Sequence, residues 1–276
     1  MIKDAIVNLT VGASRDVAAD YAISLATAFG AHLSGIGFAY EVVVPGTVFG
    51  GVGADLIQAQ RETSLQVTRT AVESFEAAVR RTGVSAETHV LEASTATAAD
   101  TFGRLARRFD LAIVAQAEPD GSPSRELIIE AVLFESGRPV LIVPYIQEEG
   151  LKLDRVMVCW DGSRNAARAV GDAMPFLARA KAVEVVVVTG DAGKSDEIPG
   201  ADIAHHLARH RLQVELRRIV AGDLDVANTI LSHAADAGTD FIVMGGYGHS
   251  RLREFVLGGA TRGILQSMTV PTLMSH

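Results

Sequence analysis

The stretch Val156-Met-Val-Cys-Trp-Asp-Gly-Ser-Arg-Asn165 is an apolar, strand-like run that ends in a polar turn. An amphipathic, helix-like run follows it at residues 166–178. The same order of strand, turn and helix opens the chain, at residues 5–10, 12–16 and 17–29. Because self-similarity of this kind marks repeated structural units, the sequence predicts a duplicated chain.

The later strands of the two halves correspond as well. Residues 109–115 resemble residues 239–245, and residues 138–143 resemble residues 270–274. A polar segment, Gln147-Glu-Glu-Gly-Leu151, separates the halves. The sequence therefore predicts two domains in tandem, with boundaries at residues 1–146 and 151–276.

Short β-branched runs alternate with longer helical periodicities in each half, which is typical of βαβ units. Runs such as Val185-Val-Val-Val188 lack polar alternation, as expected for strands that are covered on both faces. In the second half the predicted strands lie at residues 154–160, 183–189, 213–220, 240–244 and 270–275. A helix is predicted at residues 226–237, with an N-cap among residues 223–225 and Gly238 at its end. The predicted class is α/β, with doubly wound parallel sheets.

Composition excludes several classes of protein. The chain has 276 residues, 48% of them hydrophobic and 21% charged, which excludes a disordered chain. A formal net charge of −8 argues against nucleic acid as a partner, and no apolar run is long enough to cross a membrane. The single cysteine, Cys159, excludes an internal disulfide and favours a reducing compartment. With no signal-peptide pattern at the N-terminus, we expect a cytoplasmic protein without nucleic-acid or membrane partners.

In an open parallel sheet, ligands bind outside the carboxyl ends of the strands. In the second half, Asp161-Gly-Ser163 follows the first strand and Gly245-Gly-Tyr-Gly248 follows the fourth. The segment then reaches Gly258-Gly-Ala-Thr261, which opens the last helix. Glycines permit close approach of the backbone to an anion, and a helix N-terminus contributes further donors. The sequence therefore predicts a phosphate-binding site made largely of backbone amides.

The spacing Gly245-x2-Gly248-x9-Gly258 resembles the signature of the universal stress protein family, Gly-x2-Gly-x9-Gly followed by Ser or Thr. Because the first half repeats this pattern more weakly, the chain is similar to the tandem members of that family, which have two such domains in one polypeptide. The resemblance implies a stress-response protein with five-stranded, adenine nucleotide alpha hydrolase-like sheets. It also implies domains that pair through their last strands and ATP, with or without Mg²⁺, as ligand. It does not imply catalysis. We expect nucleotide to order residues 245–259 and thereby to change a surface read by a protein partner.

Carried over residue by residue, the resemblance assigns roles in the nucleotide site. Asp161 would contact the ribose or the adenine, and Val188 would lie near the base. Met244 and Gly245 would flank the ribose and the start of the triphosphate, while amides of Gly248 and Gly258 would bind phosphates. The complete predicted set is Asp161, Ser163, Val188, Met244, Gly245, Gly248, Gly258, Gly259 and Thr261.

Two departures from the family pattern matter. Gly259 stands where the family has a phosphate-binding hydroxyl, which removes one side-chain hydrogen bond unless Thr261 or Ser250 replaces it. In the first half, Thr10 stands at the Asp161 position, residues 115–118 lack the glycines, and Glu126 would face phosphate. We therefore expect no ATP in the first half, which instead pairs with the second or binds a more apolar ligand. Residues 40–53 are predicted to form a loop or lid.

Alternative interpretations of the same residues remain. The glycine spacing is also compatible with turns and close helix packing, and the protein would then be an interaction module without nucleotide. A slow ATPase would require Asp161 as a general base, but no catalytic motif accompanies it. His206 and His210 lie one helical turn apart, yet two imidazoles without a third ligand favour a solvated helix face over a metal site. Pairing within one chain and a homodimer are both compatible with the sequence.

Overall fold

The computed structural model describes residues 1–41, 54–118, 124–189, 200–222, 225–247 and 259–276. Strands and helices alternate along these residues, and the sheet pairing is mostly parallel. The predicted α/β class is confirmed. Contacts divide the chain into two compact units. The first extends from Met1 to Ala115 and includes a segment ending at Arg138, and the second contains Pro139–His276 with a short segment beginning at Gln116.

Within the described residues, the first unit contains four parallel strands in the order β3-β2-β1-β4. Its elements are β1 (Asp4–Asn8), α1 (Val17–Phe29), β2 (His32–Tyr40), α2 (Ala54–Thr82), β3 (Ala86–Ala93), α3 (Thr95–Ala106), β4 (Leu111–Ala115) and α4 (Ser124–Ala131), followed by a π-helical turn (Val132–Ser136). The loop or lid predicted for residues 40–53 lies outside the described residues beyond Glu41.

The described part of the second unit contains six strands in the order β5-β10-β9-β6-β7-β8. Its elements are β5 (Val140–Val143), β6 (Arg155–Cys159), α5 (Arg164–Leu177), β7 (Ala182–Thr189), α6 (Ala201–Arg209), β8 (Val214–Val220), α7 (Val226–Ala237), β9 (Phe241–Gly245), α8 (Gly259–Ser267) and β10 (Thr272–Ser275). Among the described residues, all strand pairs of this unit are parallel except β5 with β10, which pair antiparallel through Leu141 and Leu273.

The central strands form the buried core of each unit. Residues 5–7 of β1 and residues 241–243 of β9 have no exposed surface, in accordance with their uninterrupted apolar composition. Helix termini follow the expected capping chemistry. The Asp225 carboxylate accepts a hydrogen bond from the amide of Asn228 at 2.8 Å, and Gly238 ends α7 with φ 62°. These two signals confirm the predicted bounds of α7.

The strand register gives a residue-by-residue correspondence between the two units. Ala5 pairs with Leu33 and Leu111, just as Val156 pairs with Val183 and Phe241. Counting along the strands from these positions, Thr10 corresponds to Asp161, Phe38 to Val188 and Ala115 to Gly245. No helix within the described residues combines the length and the apolar character needed to cross a bilayer.

Candidate functional site

A cavity of about 220 Å³ lies in the second unit, where β6, β7 and β9 end and α7 and α8 begin. This is the point at which the strand order reverses, since β9 and β7 lie on opposite sides of β6. Six of the nine predicted nucleotide-binding residues line it: Asp161, Val188, Met244, Gly245, Gly259 and Thr261. Gly248 and Gly258 lie outside the described residues, and Ser163 is not part of the lining.

The turn after β6 holds Asp161 at the mouth of the cavity. One oxygen of its carboxylate, Oδ1, accepts a hydrogen bond from the amide of Ser163 at 2.9 Å. The Ser163 hydroxyl in turn accepts from the amide of Ala166 at 3.1 Å and forms the N-cap of α5. Gly162, with φ 75°, allows the chain to turn between them. Asp161 is exposed, so its carboxylate retains acceptor capacity for a hydroxyl-bearing ligand.

Two elements, β7 and α7, contribute apolar side chains to the cavity wall. Val186 and Val188 are two residues apart on β7 and therefore share one face of the strand. Val226 and Ile230 are four residues apart on α7 and share one face of the helix. The sequence analysis identified neither Val186 nor the two α7 residues. Their i, i+4 spacing in a helix that begins at the carboxyl edge of the sheet is the signal that could have indicated them.

The packing of β9 against α5 leaves no room for a side chain at position 245. A Cβ atom at this position would lie 2.6 Å from the amide nitrogen of Ala166 and 2.8 Å from the carbonyl carbon of Asn165. Such distances to backbone atoms exclude any side chain. The two amides that follow are also engaged within the protein. The amide of Gly246 donates to the carbonyl of Ser275 at 2.8 Å, and that of Tyr247 donates to Oγ1 of Thr261 at 3.1 Å.

Cys159 lines the cavity next to Asp161. Burial raises the pKa of its thiol to about 12, and the nearby Asp161 carboxylate contributes in the same direction. The thiolate is the reactive form of cysteine, so this thiol stays protonated and weakly nucleophilic at neutral pH.

We therefore expect the alkylation rate of Cys159 by iodoacetamide to rise about tenfold per pH unit between pH 7 and pH 10 without a plateau. Because this is the only cysteine, mass spectrometry of the intact protein measures the rate directly. The Asp161→Asn variant, which removes the neighbouring negative charge, should react faster at every pH in this range. A plateau below pH 9 would contradict the assigned environment of the thiol.

The corresponding positions of the first unit carry larger side chains. Phe38, at the Val188 position, is fully buried, and its ring centroid lies 6.5 Å from that of Phe102. Ala115, at the Gly245 position, adds a methyl group to the end of β4. Tyr40 hydrogen bonds to the side chain of Ser124, and burial raises the pKa of its phenol. At the end of β2, Phe38 thus places a buried aromatic ring where β7 carries the smaller Val188.

The histidine pair considered as a metal site lies at the exposed C-terminal end of α6, with His210 as its C-cap. The rings of His206 and His210 contact each other edge to face, with centroids 4.9 Å apart, and both residues are exposed. Among the described residues, no group of three or more His, Cys, Asp or Glu side chains is arranged to hold a metal ion.

Comparisons with known proteins find matches to the second unit. The family model "Usp: Universal stress protein family" matches residues 152–276. A curated universal stress protein from Synechocystis sp. is 27% identical over 156 residues, which cover 52% of this chain and 49% of that protein. The match thus spans about half the length of the curated relative.

Solved structures resemble the chain over nearly its whole length. A universal stress protein from Archaeoglobus fulgidus DSM 4304 has a TM-score of 0.70 at 17% identity, covering 98% of this chain and 95% of the other. A protein of unknown function from Pseudomonas aeruginosa PAO1 has a TM-score of 0.61 at 14% identity, covering 99% and 92%. At these identities the likeness establishes the fold alone. Residues 152–276 therefore match one universal stress protein domain, within a chain that has the α/β fold of solved universal stress proteins.

Proposed function

We propose that the cavity of the second unit binds an adenine nucleotide, ATP, and that the protein is a nucleotide-binding member of the stress response. The observation that carries this proposal is the convergence of six predicted residues on one cavity at the carboxyl ends of the strands.

We further propose that the chain is a tandem of two such domains, residues 1–146 and 151–276. The first lacks the nucleotide, and pairing of the last strands β5 and β10 within the chain takes the place of a homodimer.

The chemistry of the walls favours one orientation of the nucleotide. Val186, Val188 and Ile230 offer apolar surface to an adenine ring, and Asp161 offers a carboxylate to ribose hydroxyls. Phosphates would extend toward Gly259, the first residue of α8, where the helix dipole favours an anion. A volume of about 220 Å³ is below the roughly 300–1,000 Å³ of most small-molecule pockets, so it would enclose the base and ribose rather than the whole triphosphate.

Trp160 provides a direct test of this proposal. It lines the cavity and is the only tryptophan of the chain, so its fluorescence reports on this site alone. Titration with Mg·ATP should change the emission of Trp160 along the same saturation curve as the heat measured by calorimetry. At 100 times the Kd, binding should stabilise the fold by about 2.7 kcal/mol. No heat, no fluorescence change and no thermal shift at millimolar ATP would refute the proposal.

Restoring the missing hydroxyl at Gly259 should strengthen binding of the triphosphate. A Cβ at this position meets nothing within 4 Å, so Gly259→Ser adds a side chain without a clash. One additional hydrogen bond to phosphate should tighten ATP binding by up to about tenfold, while the affinity for adenosine, which lacks phosphates, should stay unchanged. Calorimetry with both ligands measures this difference, with Gly259→Ala as the control that adds Cβ without the hydroxyl. An equal gain for adenosine would contradict the proposed direction of the phosphates.

A second candidate function, an interaction module without nucleotide, is favoured by one observation. The packing of Gly245 against α5 accounts for the first glycine of the signature without any ligand, and the amides of Gly246 and Tyr247 already donate hydrogen bonds within the protein. Under this alternative the titration with Mg·ATP gives no signal, while the protein is folded and its unfolding temperature is independent of nucleotide.

A further inference from the structure

Asn165 lies in the first turn of α5, is only 3% exposed and does not line the cavity. Its side-chain nitrogen Nδ2 donates to the carbonyl oxygen of Gly246 at 2.7 Å and to that of Tyr247 at 3.2 Å. The same nitrogen lies 2.9 Å from Nδ1 of His276. One buried amide therefore fixes two consecutive peptide groups just after β9.

The opposite side of the same segment is fixed by the cavity wall. The Tyr247 amide donates to Oγ1 of Thr261, and Thr261 lines the cavity from the first turn of α8. Tyr247 has φ 50°, a left-handed conformation that is costly for a bulky residue and persists only where its surroundings enforce it. Residues 246 and 247 are thus held between Asn165 on one side and Thr261 on the other.

We propose that Asn165 is a positioning residue for the nucleotide cavity, because it holds the Gly246–Tyr247 segment and, through Thr261, the first turn of α8. This inference rests on the proposed function, since the cavity it shapes is the proposed nucleotide site. Correspondence between the repeats supports it. Asp16 and Ser163 are the N-caps of α1 and α5, so Ala18 takes the place of Asn165 in the repeat for which no nucleotide is expected. The side-chain donor, Asn165, is therefore present in the half with the proposed nucleotide site and absent from the other half.

The chain offers a chemically matched control for this role. Gln116 is also a buried carboxamide, 1% exposed, and its Nε2 donates to two consecutive carbonyls, those of Leu265 at 2.9 Å and Gln266 at 3.3 Å. These carbonyls lie at the C-terminal end of α8, away from the cavity. Asn165→Asp and Gln116→Glu each replace a donating amide by an accepting carboxylate of the same shape, so both place an acceptor against two carbonyls.

We expect Asn165→Asp to weaken Mg·ATP binding by about tenfold or more, and Gln116→Glu to change it by less than about twofold, when both are compared with the wild type by calorimetry. Equal losses in the two variants would show a general effect of stability and would overturn the positioning role. If Asn165→Asp does not fold, Asn165→Ala, which copies the first repeat, tests the same prediction with a smaller disturbance.

Failure of the proposed function is distinguishable from failure of this inference. If the wild type binds no adenine nucleotide, the proposed function fails, and the role of Asn165 is then measured without ligand. Trp160 and Cys159 both line the cavity. Acrylamide quenching of Trp160 and alkylation of Cys159 should therefore both be faster in Asn165→Asp than in Gln116→Glu, because only Asn165→Asp disturbs a wall of that cavity. Equal quenching and alkylation in the two variants would overturn the inference.

Discussion

Replacing Val188 by phenylalanine is expected to abolish binding of the adenine nucleotide. Val188 lies on the apolar wall of the cavity, whose volume is only about 220 Å³, and a phenyl ring there takes the space proposed for the base. The first unit shows how such a ring is accommodated, because Phe38 stands at the corresponding position and is fully buried. The affinity for Mg·ATP should fall by more than about a hundredfold, as measured by calorimetry and by the fluorescence of Trp160.

The matched control is the same substitution on the edge strand of the same unit. Val220 ends β8, is 54% exposed and does not line the cavity, so Val220→Phe should bind Mg·ATP within about twofold of the wild type. Both variants should fold, because each phenylalanine replaces a side chain that is at least partly exposed. Wild-type affinity in Val188→Phe would place the base elsewhere and would contradict the proposed orientation.

Local signals in the sequence were sufficient to predict the strands and several helix termini. The run that contains Val185 to Val188 can be buried on both faces only in a covered parallel strand, and β7 is such a strand. The ends of α7 followed from Asp225 and Gly238 because capping depends on residues within one turn of the helix. Features that depend on neighbours in sequence are therefore predictable without an alignment.

Features that depend on distant neighbours were not predictable in this way. Asn165 contacts Gly246, 81 residues further along the chain, and nothing in its local sequence distinguishes it from an ordinary residue of a first helical turn. The role of Gly245 shows the same limitation. A glycine indicates that something approaches the backbone closely, but the pattern does not reveal whether this is a phosphate group or, as observed, the first turn of α5.

Gly245→Ala separates these two roles of the glycine and is expected to destabilise the second unit. The added methyl carbon would lie 2.6 Å from the nitrogen of Ala166 and 2.8 Å from the carbonyl carbon of Asn165, and neither backbone atom can rotate away. Forcing β9 and α5 apart should lower the free energy of unfolding by about 1–3 kcal/mol, as measured by urea denaturation without nucleotide.

The control for this substitution is Gly171→Ala in the interior of α5. A Cβ there meets nothing within 4 Å, and alanine favours the helix, so the free energy of unfolding should rise by up to about 1 kcal/mol. If Gly245 served only the approach of phosphate, Gly245→Ala would leave the ligand-free protein as stable as the wild type and would lower the affinity for Mg·ATP alone. A loss of stability without ligand would instead show that β9 requires glycine in order to pack against α5, whether or not a nucleotide binds.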